Sequence, residues 1–290
     1  MASAVQTVGE IVRSWRELRR FSQLDLALEA EISQRHLSFI ESGRATPSRE
    51  MVLHLAEHLD VPLRERNLLL LATGYSPIYG DRSLHDPSLT NAMAALERLL
   101  RAHEPYPALI VDRHWNIVAA NQALAPLLDG VAPELLKPPA NALRISLHPR
   151  GLAPGIVNLG EWRQHLLDRL RRQFRICRDP ALDVLLRELS DYPFDSSEPS
   201  NDSHNYLANE VAIPLRLRTP NGVLSFLSTV TVFGTPVEIE LSEVTLEAFY
   251  PADQETARAL GIDASSVPRH DQAIIAPQSD ALPHLSAVHD

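Results

Sequence analysis

Gln34, Arg35, Ser38 and Phe39 fall within one short stretch, and side chains of these types can read the edges of base pairs. Glutamine pairs bidentately with adenine, arginine with guanine, and an aromatic edge can meet a thymine methyl in the major groove, which is ~12 Å wide and admits one helix. On a helix, Leu37 and Ile40 take the opposite side, leaving the other four outward. Gln23, at the start of an earlier helix, and Arg44 and Arg49, in the loop that follows, stand where phosphate contacts belong. The alternative is a small helical bundle used for protein contacts. It leaves an outward Phe39 beside Gln34 and Arg35 without a purpose.

Such side chains need a helix to present them, and the flanking residues supply one. Ser22 can cap a helix with Asp25 at its third position, a capping-box variant, and Leu24, Ala27 and Leu28 are expected to form its buried face. Ala30, Glu31 and Ile32 make a turn. Ser33 caps the next helix, Ile32 and Leu37 form a hydrophobic staple, and Glu41-Ser42-Gly43 ends it with glycine where a left-handed residue is wanted. Residues 8–72 read throughout as closely spaced short helices, ended by Gly74-Tyr75-Ser76-Pro77.

The segments Gln23-Leu-Asp-Leu-Ala27, Ser33-Gln-Arg-His-Leu-Ser-Phe-Ile-Glu-Ser-Gly43, Thr46-Pro47 and Met51-Val-Leu-His-Leu-Ala56 resemble the Xre or lambda-repressor-like helix-turn-helix over residues 8–72. The resemblance implies an all-α five-helix domain that binds double-stranded DNA at an operator. It also implies that Arg16 and Glu41 form a buried ion pair tying the first helix to the third.

From Pro107 the period changes. Residues 108–112 and 115–119 read as strands around Arg113-His114, with 121–128 as a helix behind them. Residues 211–218 and 224–233 flank Thr219-Pro220-Asn221-Gly222, a strong hairpin signal, and 238–248 is a further strand candidate. Residues 91–103, 159–176 and 180–189 carry apolar side chains at helical spacing, the first bridging the two halves. Leu143, Ile145 and Leu147 alternate with Arg144 and Ser146, as on a strand. The polar stretch 195–203 reads as a loop, and residues 262–290 as a disordered tail.

In order along residues 105–260, five segments resemble the MmyB-like ligand-binding domain found behind an Xre-type reader: Asp112-Arg-His-Trp-Asn-Ile-Val-Ala-Ala-Asn121, Leu143-Arg-Ile-Ser-Leu-His-Pro-Arg-Gly-Leu152, Val157-Asn-Leu-Gly-Glu-Trp162, Leu224-Ser-Phe-Leu-Ser-Thr-Val-Thr-Val-Phe-Gly-Thr-Pro236 and Phe249-Tyr-Pro-Ala-Asp253. The resemblance implies a PAS-like α+β domain, with helices over one face of a sheet, around a pocket for a small, largely apolar ligand such as a fatty acid. Asn121, Arg144 and His148 are the candidate polar contacts, since an arginine can hold a carboxylate bidentately. Plainer roles stay open: a cap or turn for Asn121, a salt bridge or strand-end hydrogen bond for Arg144 and His148. The expected division is a helix-turn-helix domain over 8–74, a linker with a connecting helix over 75–104, and the ligand-binding domain over 105–261.

Composition narrows the function further. The net charge of −10 over 290 residues argues against non-specific coating of nucleic acid, because phosphate neutralisation needs clustered cations. Residues 8–72 hold nine Arg against ten Asp and Glu, so a single copy should bind weakly and a homodimer is expected. No apolar run approaches the ~18 residues that cross a bilayer, and Cys177 is the single cysteine; both fit a cytoplasmic protein with no membrane partner. His54 and His58 have the i, i+4 spacing of zinc ligands but no third partner, and a solvated flank is the plainer reading. No nucleophile turn, phosphate loop or dinucleotide fingerprint occurs, so neither an enzyme nor a cofactor is expected. Arg169, Arg171, Arg172 and Arg175 make a basic run, either a solvated face or a contact with DNA or a partner. The reading favoured is a ligand-sensing transcription regulator. Its alternatives are a constitutive DNA-binding protein whose second domain only dimerises, and an enzyme or lipid carrier localised by the helix-turn-helix.

Overall fold

The computed structural model describes residues 6–84, 86–177, 179–194, 213–220, 222–232 and 238–263. Five helices come first: α1 (Val8–Leu18), α2 (Gln23–Glu29), α3 (Gln34–Glu41), α4 (Arg49–His58) and α5 (Leu63–Ala72). Hydroxyl side chains set four of their starts. Thr7 with Glu10 and Ser22 with Asp25 complete capping boxes, while Ser33 and Ser48 accept hydrogen bonds from the amides of His36 and Met51. Each satisfies an amide the helix itself leaves open. Gly43, at φ 72°, closes α3. Leu26, Leu37, Ile40, Leu55 and Leu70 form the centre of this bundle.

The buried face of α2 differs from the expected one. Leu26 and Ala27 are buried, whereas Leu24 and Leu28 are 50% and 69% exposed. Residues two apart point to opposite sides of a helix, so directing Leu26 at the core turns both flanking leucines outward.

α1 crosses α3 at Gly9, where a Cβ would stand 2.4 Å from the carbonyl oxygen of Ile40 and 2.8 Å from that of Glu41. Both obstacles are backbone, so no rotamer change relieves them. Gly9→Ala is expected to destabilise the helical domain by about 1–3 kcal/mol, the usual cost of overpacking. A lowered thermal midpoint checks this; an unchanged one would show that α1 can shift away without loss.

The second domain is α+β. It contains α6 (Thr90–Ala102), β1 (Ala108–Val111), β2 (Ile117–Ala120), α7 (Ala142–Leu147), α8 (Leu159–Cys177), α9 (Pro180–Asp191), β3 (Leu215–Thr219), β4 (Gly222–Val232), α10 (Ile239–Glu243), β5 (Thr245–Pro251) and α11 (Gln254–Ala259). The strands form one antiparallel sheet in the order β2-β1-β5-β4-β3. β3 and β4 make the expected hairpin, with Thr219 opposite Gly222. Of the turn between them, Asn221 lies outside the described residues, as do the loop expected over 195–203 and the expected tail beyond residue 263.

Helices cover both faces of this sheet rather than one. On the first, Leu109, Phe226 and Phe249 pack with Leu166, Leu170 and Leu185 of α8 and α9. On the second, Ile110, Leu246 and Ala248 pack with Leu96 and Leu100 of α6. The helix expected to bridge the two halves therefore lies on the sheet. All four residues of β1 are buried, as a strand sandwiched between layers requires.

Two stretches expected as strands contain helix. Residues 142–147 form α7, started by Asn141, whose side chain accepts from the Arg144 amide; a short apolar run does not separate the two periods. The strand expected over 238–248 is divided between α10 and the start of β5. Residues 122–128 are helical as expected, though as a 3-10 helix containing Pro126. Among the described residues, no helix is long and apolar enough to cross a membrane.

Candidate nucleic-acid interface and ligand cavity

α3 presents its outward face as the residue spacing implies. Gln34 and Arg35 are exposed, Ser38 and Phe39 half-buried, and Leu37 and Ile40 wholly buried. Phe39 lies between two cations: the Arg35 guanidinium is 5.3 Å from its ring centre and that of Arg44 is 6.0 Å. These contacts restrict all three side chains in the free protein. Arg49 is exposed at the first position of α4.

Beneath this face lies the ion pair. Arg16 donates through Nε to Glu41 Oε1 at 2.6 Å and through Nη2 to Oε2 at 2.9 Å, and its remaining nitrogen, Nη1, donates to the Phe21 carbonyl at 2.9 Å. Glu41 is buried, and its carboxylate also accepts from Gln23 Nε2 at 2.8 Å and from Arg13 Nε at 3.4 Å. Gln23 thus has its amide nitrogen committed to the interior, although it was expected to contact phosphate. Burial pushes the Glu41 carboxyl upward, but the hydrogen bonds from Arg16 and Gln23 and the Arg16 charge outweigh it and hold the pKa below the usual carboxylate value.

In the second domain a cavity opens between the sheet and α7 and α8, lined mainly by apolar side chains as small-molecule sites are. Its walls include Leu109, Leu143, Leu166, Leu217 and Phe249, with Ser146 and Glu247 as the polar members. Ser146 Oγ accepts from Trp162 Nε1 at 3.0 Å. Glu247 is paired with Arg169 of α8, whose guanidinium lies 4.4 Å from the centre of the Trp115 ring. Trp115, at φ 69°, is a bulky residue in the left-handed region, a conformation uncommon for its type.

A model of the MmyB-like transcription regulator ligand binding domain matches residues 92–261, more than half of the chain. The chain belongs to this MmyB-like family. A helix-turn-helix model matches residues 12–66, so this MmyB-like regulator joins a DNA-binding module to a ligand-binding domain. No curated protein matches it.

The polar contacts expected for the ligand lie outside the cavity lining of this MmyB-like domain, each held elsewhere. Asn121 accepts from the Ala108 amide at 3.0 Å and donates to the Tyr106 carbonyl at 2.8 Å, stitching the start of β1 to the end of β2. Arg144 makes a two-pronged pair with Glu188 of α9 at 2.8 and 2.7 Å. His148 packs edge-on against Tyr192 and accepts the Arg150 amide through Nδ1 at 3.0 Å. The cause is the helical course of α7, which directs Arg144 toward α9 and brings Ser146 to the cavity. His54 donates its ring N–H to the Ala30 carbonyl at 2.7 Å, in the tautomer that places the proton on Nε2, and among the described residues no group of three His, Cys, Asp or Glu is placed to hold a metal ion.

Two structural features of the MmyB-like domain escaped the sequence reading. Glu247 was detectable in principle: Thr245, Glu247 and Phe249 alternate with Leu246, Ala248 and Tyr250, so a carboxylate faces one of two buried sides. The other is a joint between domains. Arg64 of α5 donates to Glu243 and Glu240 of α10 at 3.0 Å and to Asp81 at 2.8 Å. Glu243 also accepts from Arg113 at 3.4 Å, and Arg113 is paired with Asp179. The Arg113 carbonyl accepts from Gln173, which in turn accepts from Trp115 Nε1 at 2.8 Å. A row of contacts, one of them through the Arg113 main-chain carbonyl, therefore joins Arg64 on the helical domain to Glu247 at the cavity.

Proposed function

We propose that the protein is a homodimeric, cytoplasmic transcription regulator that reads an operator with α3 and responds to a small apolar ligand in the cavity between the sheet and α7 and α8. The observation that carries this reading is the coexistence of a half-buried, cation-flanked Phe39 on the outward side of α3 with an apolar cavity in a domain pinned to the reader by Arg64. Gln34, Arg35, Ser38 and Phe39 would contact bases, and Arg44 and Arg49 phosphates. Gln23 would act chiefly by orienting Glu41 beneath the reading face. The near-balance of charge in the helical domain supports two copies acting together, since one copy offers few net phosphate contacts. Of the two ligand descriptions, apolar and fatty-acid-like, the lining supports the first. Control requires the ligand to bind the two conformations of the protein unequally, because equal affinity shifts nothing.

Selection of bound duplexes from a random pool by the full-length protein tests the reading. Enrichment of a two-fold-symmetric site, with affinity that changes when the small molecules extracted from the purified protein are added back, is the expected result. No enrichment would remove sequence-specific reading, and enrichment insensitive to the extract would leave a constitutive DNA-binding protein.

A further inference from the structure

The chain between the two domains is gripped from both sides, which leaves little slack to absorb a movement of either. Asn67 of α5 donates to the Tyr79 carbonyl at 2.9 Å and accepts from the Ile78 and Tyr79 amides at 3.1 and 3.2 Å. One residue further on, the Gly80 carbonyl accepts from the Ile239 amide of α10 at 2.8 Å. Arg64 closes the joint with all three of its nitrogens. Nε and Nη2 donate to the two oxygens of Glu243, both at 3.0 Å, while Nη2 also reaches Glu240 and Nη1 reaches Asp81. Resting on the reading that α3 binds an operator, we propose that this clasp of Arg64 on Glu243 couples the reading face to β5, the central strand that lines the cavity. Without Arg64 the two domains respond independently.

Two features make the clasp a coupling element rather than a simple tie. Glu243 ends α10 and β5 begins at Thr245, so Glu243 and the cavity-lining Glu247 lie on one short continuous segment. A shift of β5 carries Glu243 with it. Glu243 is also shared, since Arg113 of the second domain donates to it at 3.4 Å and has a further partner in Asp179. A carboxylate between two arginines can pair with either, and networks of this kind have discrete arrangements rather than a continuum.

The joint is crowded with acid. Asp81, Glu240, Glu243 and Asp179 share Arg64 and Arg113, with His114 adding a hydrogen bond to Asp179. Glu65, beside Arg64 on α5, is held above the usual carboxylate value mainly by burial; Glu243 and Asp179 add to the rise, and Arg113 and Arg64 oppose it. Removing one guanidinium therefore leaves carboxylates facing one another across the joint. On the helical side, α5 packs against α1 and α4, and α1 supplies the Arg16 that holds Glu41 of α3. The competing account is that the clasp only fixes the domains side by side, each binding as if alone.

Hydrogen exchange of the full-length protein, read peptide by peptide with and without a duplex selected from the random pool, separates these accounts. Exchange is expected to slow at α3 and, through the clasp, by about fivefold or more in α10 and β5, the low end of the usual coupling between sites. In Arg64→Met the slowing at α3 is kept and that in β5 is lost. Glu243→Gln, which removes the charge from the other side of the clasp, gives the same result and serves if Arg64→Met does not fold. Exchange in β5 that ignores the duplex in the unsubstituted protein overturns the proposal, as does slowing in β5 that survives in a folded variant. Failure to select a duplex, or no slowing at α3, would instead overturn operator binding by α3, the reading on which the clasp rests.

Discussion

Arg16→Met is expected to destabilise the helix-turn-helix by about 3–5 kcal/mol, the cost of leaving a buried charge without its partner. Glu41 is wholly buried at its side chain and Arg16 nearly so, and together they span α1 and α3. Removing the guanidinium strands a buried carboxylate, with only Gln23 and the half-exposed Arg13 to compensate. Urea unfolding followed by circular dichroism measures the loss. The double variant Arg16→Met with Glu41→Met should recover most of it, since an apolar pair of similar volume removes the unpaired charge as well as the bond. A loss below about 1 kcal/mol in the single variant would place the pair in the class of weak surface bridges.

The same pair makes the domain sensitive to acid. Because the folded pKa of Glu41 lies below its ordinary value, its contribution is fully present above about pH 4.3, the unfolded value. It is lost as the pH falls through the lower, folded pKa. The stability of the natural protein relative to the double variant should therefore fall on acidification and stay flat above that range. A difference independent of pH down to strong acid would show that Glu41 does not titrate with folding.

Arg35→Ala is expected to lower discrimination between operator and scrambled duplex by about 1–3 kcal/mol, the value of one good base contact. The substitution also removes one of the two cations that hold Phe39, so the aromatic contact weakens with it. Arg44→Ala, on the phosphate side, should instead weaken binding to both duplexes alike and flatten the salt dependence. Fluorescence anisotropy with the two duplexes at several salt concentrations distinguishes these outcomes. Equal loss on both duplexes for Arg35→Ala would reassign it to the DNA backbone.

The helix-turn-helix was legible in the sequence because its signals are local. A hydroxyl before a helix or a glycine after it acts within one turn, so Ser22, Ser33 and Gly43 mark their boundaries without reference to the rest of the chain. The orientation of α2 was not local: seven residues make too short a helix to fix a face, and packing against α3 chose Leu26 over Leu24 and Leu28. In the second domain the hairpin and long helices were readable from spacing, but α7 was not, because six residues alternating apolar and polar fit either period. The basic run on α8 shows the same limit. Arg169 shares the inward side with Trp162, Leu166 and Gln173 and is paired, whereas Arg171, Arg172 and Arg175 edge a separate surface groove. Arg64 and Glu243, 179 residues apart, meet only in the folded chain.

The joint at Arg64 has a thermodynamic consequence that does not depend on how atoms move. Any coupling it carries between cavity and operator is reciprocal: the factor by which ligand changes DNA affinity is the factor by which DNA changes ligand affinity. Copies seated on an operator and copies free in solution would then answer to different ligand concentrations. The threshold of the response would be set partly by how many operators the cell contains, and not by the cavity alone.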